Sequence, residues 1–119
     1  MGTTRLELYA ERHNALALRL KALGHPARWS MVEHLLAQQG CVNADFVALT
    51  GLAQPTVTRH LAVLVGAGLV ACDCGGGRAV YCIAPGAWLA LEADLVPWVR
   101  QAAAFPTHCE TDASCCTPS

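Results

Sequence analysis

The stretch that most constrains the fold of this chain is QPTVTRHLAVLVGAG, residues 54–68. Its apolar residues recur at steps of three and four, which is the spacing of one face of an α-helix. The predicted buried stripe consists of Val57, Leu61 and Leu64. Pro55 fits the first turn, where its missing N–H costs nothing, and Gly66 and Gly68 end the helix. The other side of this helix is polar, so we predict that it rests on a core and turns a polar face to solvent or to a partner.

The segments on either side of this helix predict a winged helix-turn-helix. ADFVALTG, residues 44–51, reads as a short helix with Asp45 in its first turn and Gly51 at its end. Two helices joined by a turn of a few residues form a helix-turn-helix. LVACDCGGGRAVYCIAP, residues 69–85, then reads as a strand, a glycine turn and a second strand, which is a hairpin. The expected fold class is therefore mainly α with a small β-hairpin.

Two helices are predicted ahead of this unit. Residues 5–25 and 27–40 have apolar side chains at helical spacing, and Gly24 with Pro26 separates the two segments. The inward positions expected for the first helix are Leu6, Tyr9, His13, Leu16, Leu20 and Leu23, and those for the second are Met31, Val32, Leu35 and Leu36. CVN, residues 41–43, is short enough for a single strand or an extended link.

A last helix is predicted from Ala87 to about Ala104, with a kink at Pro97, which removes a backbone hydrogen bond. Its apolar stripe consists of Trp88, Leu91, Leu95, Trp98 and Phe105. The stripes of the first and last helices exceed what one small core needs, so we expect them to pair two copies across a two-fold axis. The domain expected from this pattern covers residues 1–105, and a cysteine-rich flexible tail covers residues 106–119.

Charge and hydropathy narrow the class of function. Eight Lys and Arg nearly balance nine Asp and Glu, for a net charge of −1. A protein that coats nucleic acid is strongly basic, so any DNA contact here comes from a local patch. The chain contains no run of 18 apolar residues, which argues against a membrane span. The first residues, MGTTRLELYAERHN, lack the apolar centre of a signal peptide, so we expect a cytoplasmic protein.

The first turns of the predicted second helix of the helix-turn-helix are expected to enter the DNA major groove. Gln pairs with an adenine edge and Arg with guanine, while Thr contacts phosphate or base. The expected DNA-binding residues in this helix are Gln54, Thr56, Thr58, Arg59 and His60. Arg78 follows the glycine turn and is expected to reach a minor groove or a phosphate from the hairpin.

Seven cysteines in a chain of this length require an explanation. The count is odd and no export signal is seen, so reduced thiols that bind a soft ion or react with an oxidant fit better than disulfides. The first candidate metal site is in the tail and consists of Cys109, Cys115 and Cys116. Three thiolates suit a trigonal centre such as As(III), and the other soft ions considered are Sb(III), Cd(II), Pb(II), Cu(I) and Zn(II).

An alternative metal site consists of the cysteines at or near the hairpin: Cys41, Cys72, Cys74 and Cys82. Strand periodicity places Cys72 and Cys74 on one face. If the turn covers residues 75–77, Cys74 faces Arg78, and Cys82 lies diagonally across from Cys72 on that face. A two-residue turn would instead flip the register and separate Cys82 from Cys72. Buried free cysteine also packs as a small hydrophobe, which is the competing interpretation.

The ordered part of the chain resembles the ArsR/SmtB family of metalloregulatory repressors. Three stretches carry the resemblance: LKALGHPARWSMVEHLL at 20–36, GLAQPTVTRHLAVLVGAGLV at 51–70 and GGGRAVYCIAP at 75–85. The resemblance implies a homodimeric repressor that leaves double-stranded operator DNA when it senses a metal ion, metalloid or oxidant. The tail cysteines resemble the sites of arsenic-sensing members whose ligands follow the last helix. A thiol-based sensor of redox state or reactive sulfur, with the same fold, is the alternative.

Departures from the family pattern limit what is carried over. Cys41 lacks a second cysteine two positions on, so the three-thiol site found in many arsenic-sensing members is incomplete. Ala53 replaces the usual serine, so the side-chain oxygen that would cap the next helix is missing. Glu92 and Asp94 have no histidine in their helix, so a zinc site there is not expected. We find no nucleophile with a paired base and no phosphate loop, so we expect neither an enzyme nor a protein substrate.

Overall fold

The computed structural model describes residues 9–106, which form five helices and a two-stranded antiparallel sheet. The helices are α1 (Glu11–Ala22), α2 (Pro26–Ala37), α3 (Asn43–Thr50), α4 (Gln54–Gly66) and α5 (Pro85–Ala103), and the strands are β1 (Val70–Asp73) and β2 (Val80–Ile83). The order of elements is the predicted winged helix-turn-helix, with α3 and α4 as its two helices and the β1–β2 hairpin as the wing. The predicted domain limits, which include residues 1–8 and the tail beyond residue 106, extend outside the described residues.

The core lies where the inner faces of α2, α3, α4 and the start of β1 meet. The largest fully buried side chains are Phe46, Met31, Leu35, Leu61, Leu64, Leu69, Val32, Val57, Val70 and Cys41. The predicted stripe of α4 is confirmed, because its three apolar residues have no exposed area. The expectation for Leu36 is wrong. Its side chain is 68% exposed because α2 turns Met31, Val32 and Leu35 inward, and Leu36 falls beyond the edge of that face.

The segment between α2 and α3 is the predicted single extended link. Cys41 forms an isolated antiparallel bridge with Tyr81 of β2, with backbone hydrogen bonds of 3.1 Å and 2.8 Å in the two directions. The link therefore ties the start of the helix-turn-helix to the wing. α3 starts directly after it, and the carboxylate of Asp45 accepts a 2.8 Å hydrogen bond from the backbone N–H of Val42.

α1 and α5 pack against each other at the edge of the core. The imidazole of His13 and the indole of Trp98 lie with ring centroids 5.9 Å apart. Leu16 and Leu91 are buried, whereas Leu20, Trp98 and Phe105 are exposed. Only part of each predicted stripe therefore fits the core of one copy. α5 continues through Pro97 as one helix, and no helix in the described part of the chain is long and apolar enough to cross a membrane.

Candidate nucleic-acid interface

The polar face expected on α4 is exposed at its N-terminal end. Gln54, Thr58 and Arg59 are exposed and Thr56 is half-buried, while the buried stripe of the same helix anchors it to the core. Ala53 sits at the cap with extended dihedrals and provides no side-chain hydrogen bond, as expected from its methyl group. The first turn of α4 therefore keeps free backbone N–H groups, which favour a nearby anion such as a phosphate.

The hydroxyl of Thr58 joins the two helices of the helix-turn-helix. It accepts a 2.8 Å hydrogen bond from the side-chain amide of Asn43 in α3 and donates at 3.0 Å to the backbone carbonyl of Gln54. Its proton is thus used within the protein, and one acceptor position remains for an outside group. The carbonyl oxygen of the Asn43 side chain is buried without a partner among the described residues. Sequence reasoning missed Asn43, because a polar residue at the start of a helix looks like an ordinary surface residue until its partner Thr58 is known.

His60 lies at a packed junction between α2 and α4. Its Nδ1 accepts a 3.1 Å hydrogen bond from Nε of Arg28, and its ring centroid is 4.5 Å from that of His25. Arg28 also donates through Nη1 to the backbone carbonyls of Ala22 at 3.1 Å and Lys21 at 3.4 Å, which end α1. Arg28 therefore links α1, α2 and α4, a role that sequence reasoning did not assign. A phosphate contact by His60 would have to use its other nitrogen.

Burial lowers the pKa of His60 below its ordinary value of 6.5, and the nearby positive charges of His25, Arg28 and Arg59 lower it further. The neutral imidazole is the form that accepts the Arg28 hydrogen bond. The junction between α2 and α4 is consequently built for neutral His60 at physiological pH.

The wing is shaped by its loop, residues 74–79. The carboxylate of Asp73 accepts a 3.0 Å hydrogen bond from the backbone N–H of Gly75. Gly76 and Gly77 follow with φ of 87° and 82°, a left-handed conformation that side chains disfavour. Arg78 comes next and is exposed. The predicted wing contact therefore stands on a turn that requires glycine.

The observed register of the hairpin differs from the predicted one, which placed Cys82 diagonally across from Cys72. Cys72 pairs with Tyr81, and Cys82 pairs with Ala71. The expected diagonal contact is therefore wrong, because the loop covers residues 74–79 rather than 75–77 and shifts the pairing by one residue. Side chains alternate between faces along a strand, so this shift places Cys82 on the face opposite Cys72.

The four cysteines of the described residues are free, and they differ in burial and in their neighbours. The sulfurs of Cys72 and Cys74 are 3.3 Å apart on the wing. Cys41 is buried and donates to the backbone carbonyl of Gln38 at 3.1 Å. Burial raises the pKa of Cys41, and Asp45 and Cys82 raise it further.

The pKa of Cys74 is also raised, chiefly by its hydrogen bond with Cys72. Within residues 9–106, no three His, Cys, Asp or Glu side chains gather into a group that could hold a metal ion. The tail cysteines Cys109, Cys115 and Cys116 lie outside the described residues, so the predicted tail site stays a prediction.

The helix-turn-helix rests on a buried core, its second helix has a polar N-terminus, and the wing carries an arginine. These features define a winged helix-turn-helix DNA-binding protein. The family model described as "Bacterial regulatory protein, arsR family" matches residues 26–71, which run from the start of α2 into β1. Over this segment the chain is similar to DNA-binding transcriptional regulators of the arsR family.

Solved structures share this fold. An ArsR-like transcriptional regulator from Rhodococcus sp. RHA1 is 20% identical, with a TM-score of 0.65 over 80% of this chain and 92% of the other. The transcriptional repressor BigR from Xylella fastidiosa is 26% identical, with a TM-score of 0.57 over 76% and 90%.

A homodimeric winged helix-turn-helix domain from Mycobacterium bovis, a possible ArsR-family regulator, is 24% identical, with a TM-score of 0.58 over 84% and 97%. Among curated proteins, none shows significant sequence similarity to this chain.

Proposed function

We propose that this regulator is a homodimeric repressor that binds double-stranded operator DNA through α4 and the wing, and leaves it when cysteine thiolates bind a soft metal or metalloid, foremost As(III) or Sb(III). The observation that carries the proposal is the two-sided build of α4. Its inner stripe has no exposed area, while Gln54 and Arg59 at its N-terminal end are exposed. A helix that is anchored to the core in this way holds its exposed side chains in a fixed orientation toward the bases.

The chemistry of the exposed residues suits direct readout. The amide of Gln54 matches the donor and acceptor pair of adenine, and the guanidinium of Arg59 matches the two acceptors of guanine. Thr56 and Thr58 supply hydroxyl contacts to phosphate or base, and Arg78 supplies a positive charge at the wing. Because the whole chain has a net charge of −1, affinity must come from these few local contacts.

An apolar surface on α1 and α5 supports a dimer. We call it the α1–α5 surface and define it by the exposed residues Leu20, Trp98 and Phe105, of which Trp98 lies beside the other two. Contiguous exposed apolar residues mark interaction sites, and a two-fold pair would join two copies of this surface. A dimer of winged helices places its two recognition helices about 34 Å apart, one turn of duplex, which one copy cannot do.

The proposed inducer site is the tail group Cys109, Cys115 and Cys116, with the wing-side group Cys41, Cys72, Cys74 and Cys82 as the alternative. The tail follows α5, whose last turns carry Trp98 and Phe105 of the α1–α5 surface. A soft ion held by the tail thiolates would therefore act next to the dimer contact. For release, the ion must bind the DNA-free arrangement more tightly, and a coupling of about 1–3 kcal/mol is typical.

The test compares the duplex upstream of the protein's own gene with a scrambled duplex of equal length, using full-length reduced protein and fluorescence anisotropy. We expect tighter binding to the native duplex and release by arsenite or antimonite. Equal affinity for both duplexes would refute sequence-specific repression.

Cys115→Ser with Cys116→Ser should keep DNA binding and lose release, whereas Cys82→Ser, a thiol lost elsewhere, should change neither. Release of this tail variant by arsenite would move the inducer site to the wing side. Cadmium, lead, copper(I) and zinc are titrated in the same way. Release by oxidant or persulfide, reversed by dithiothreitol, would favour the redox alternative.

A further inference from the structure

The wing holds a pair of thiols that is already arranged for chelation. Cys72 lies in β1 and Cys74 directly follows the strand, so both side chains point to the same face. Their sulfurs are 3.3 Å apart, Cys74 is exposed and Cys72 is half-buried. Tyr81 is the cross-strand neighbour of Cys72. The pair is thus open to solvent on one side and supported by the sheet on the other.

The sulfur separation is short enough for one ion to bind both thiols. If an ion binds each sulfur at about 2.3 Å, as zinc does, a bond angle near 90° separates the sulfurs by about 3.3 Å and a tetrahedral angle by about 3.8 Å. The observed 3.3 Å is a thiol–thiol contact, so both sulfurs already lie within reach of one ion. A tetrahedral ion also needs two more ligands, and the described residues gather no group of three donors here.

We propose that Cys72 and Cys74 form a second, independent site for trivalent arsenicals on the DNA-reading wing. Two As–OH bonds break and two As–S bonds form, and each thiol proton leaves with a hydroxide as water. Arsenic stays trivalent, so the step needs no oxidant or reductant. Its third position keeps a hydroxide in the arsenite adduct, or carries the organic group of a monosubstituted arsenical. The site adds to the proposed function and does not depend on release from an operator.

The proposed site lies directly before the loop of the wing. An arsenic atom bridging Cys72 and Cys74 closes a ring at the end of β1, immediately before the loop that places Arg78. The Asp73 carboxylate that shapes this loop lies between the two cysteines. The adduct therefore forms beside the segment that carries the predicted wing contact and involves no residue of α5.

The experiment uses the full-length reduced protein with Cys109→Ser, Cys115→Ser and Cys116→Ser, so that tail thiols cannot bind the probe. Phenylarsine oxide is added, free thiols are alkylated with iodoacetamide, and tryptic peptides are weighed by mass spectrometry. Cleavage after Arg59 and Arg78 releases residues 60–78, a peptide whose cysteines are Cys72 and Cys74. We expect the arsenical to prevent alkylation of both, and arsenite to do the same at higher concentration.

Matched variants separate chelation from simple blocking. Cys72→Ser should leave Cys74 fully alkylated in the presence of phenylarsine oxide, and Cys74→Ser should do the same for Cys72, because one thiol cannot chelate. Cys82→Ser, on the opposite face of the same hairpin, should keep the protection. Equal alkylation of the peptide with and without the arsenical would overturn the proposal, as would protection that persists in either single variant. Neither readout involves DNA, so loss of operator binding would count against the proposed function alone.

Discussion

The helix-turn-helix and the wing are the two proposed DNA-contacting regions, and different forces hold them in place. α3 and α4 are fixed by fully buried side chains such as Phe46 and Leu61, and the Asn43–Thr58 hydrogen bond ties them together. In the wing, Val70 is the buried strand residue and all of β2 is half-buried. Its loop depends on glycine dihedrals and on one carboxylate contact from Asp73. Burial therefore sets the recognition helix, whereas local backbone geometry sets the wing.

The largest effect is expected on stability, from a substitution at a buried position of the helix-turn-helix. Leu61→Ala in α4 removes a side chain with no exposed area and should lower the free energy of unfolding by about 2–5 kcal/mol. Val63→Ala, on the exposed side of the same helix, should change it by about 0.5 kcal/mol or less. Urea denaturation at a fixed protein concentration measures both, since dimerisation contributes to stability. Similar losses for the two variants would show that burial does not fix α4.

The next largest effect is expected on DNA affinity, which should respond differently to substitutions in α4 and in the wing. Arg59→Ala should cost about 1–3 kcal/mol of binding to the native duplex and relax sequence preference, because a base contact is lost. Arg78→Ala should weaken native and scrambled duplexes alike and reduce the slope of log K against log salt by about 1. Anisotropy titrations over a range of salt concentrations provide these values. A sequence-selective loss in Arg78→Ala would assign base readout to the wing as well.

A glycine-to-alanine substitution should have opposite effects on stability in the wing and in α4. Gly77 has a φ of 82°, so Gly77→Ala should destabilise the wing by about 1–2 kcal/mol. Gly66, at the end of α4, has open space for a methyl group and no positive φ, so Gly66→Ala should stabilise the protein by about 0.5–1 kcal/mol. Thermal and urea unfolding test the pair. A stabilising Gly77→Ala would mean that the loop does not require its left-handed backbone.

The smallest effect is the pH dependence of the α2–α4 junction. Because burial and positive neighbours lower the pKa of His60 in the folded state, the unfolded chain binds the proton more readily. Stability from this group is therefore complete above about pH 6.5 and is lost as the pH falls through the folded-state value. His60→Asn keeps an acceptor for Arg28 and should flatten this decline in urea denaturation between about pH 5 and 7. An unchanged pH profile would exclude His60 as its source.

Much of the fold follows from local patterns. The spacing of Val57, Leu61 and Leu64 predicted α4 and its buried side, and both are confirmed. The positions of Gly51 and Asp45 predicted the bounds of α3 to within a residue. Leu36 was misplaced because helical spacing leaves residues at the edge of a face undecided, and the packing of α2 against its neighbours settles them.

The candidate site was less predictable than the fold. Gln54 and Arg59 were assigned from their place on α4, and the structure leaves them exposed. Arg28 and Asn43 were missed because their importance comes from contacts with His60 and Thr58, which are far away in the sequence. No local pattern encodes such pairings, since each partner looks like an ordinary surface residue on its own helix.

By itself, the sequence determined that this chain has a helix-turn-helix followed by a hairpin, because helical periods and glycine positions act over a few residues. Only the tertiary structure decided which cysteines are neighbours. Pairing Cys72 with Tyr81 rather than Val80 depends on the length of the wing loop, and the Cys41–Tyr81 bridge ties β2 to the link between α2 and α3. Since side chains alternate along a strand, that single step in register separates Cys82 from Cys72 and leaves Cys72 with Cys74 as the thiol pair.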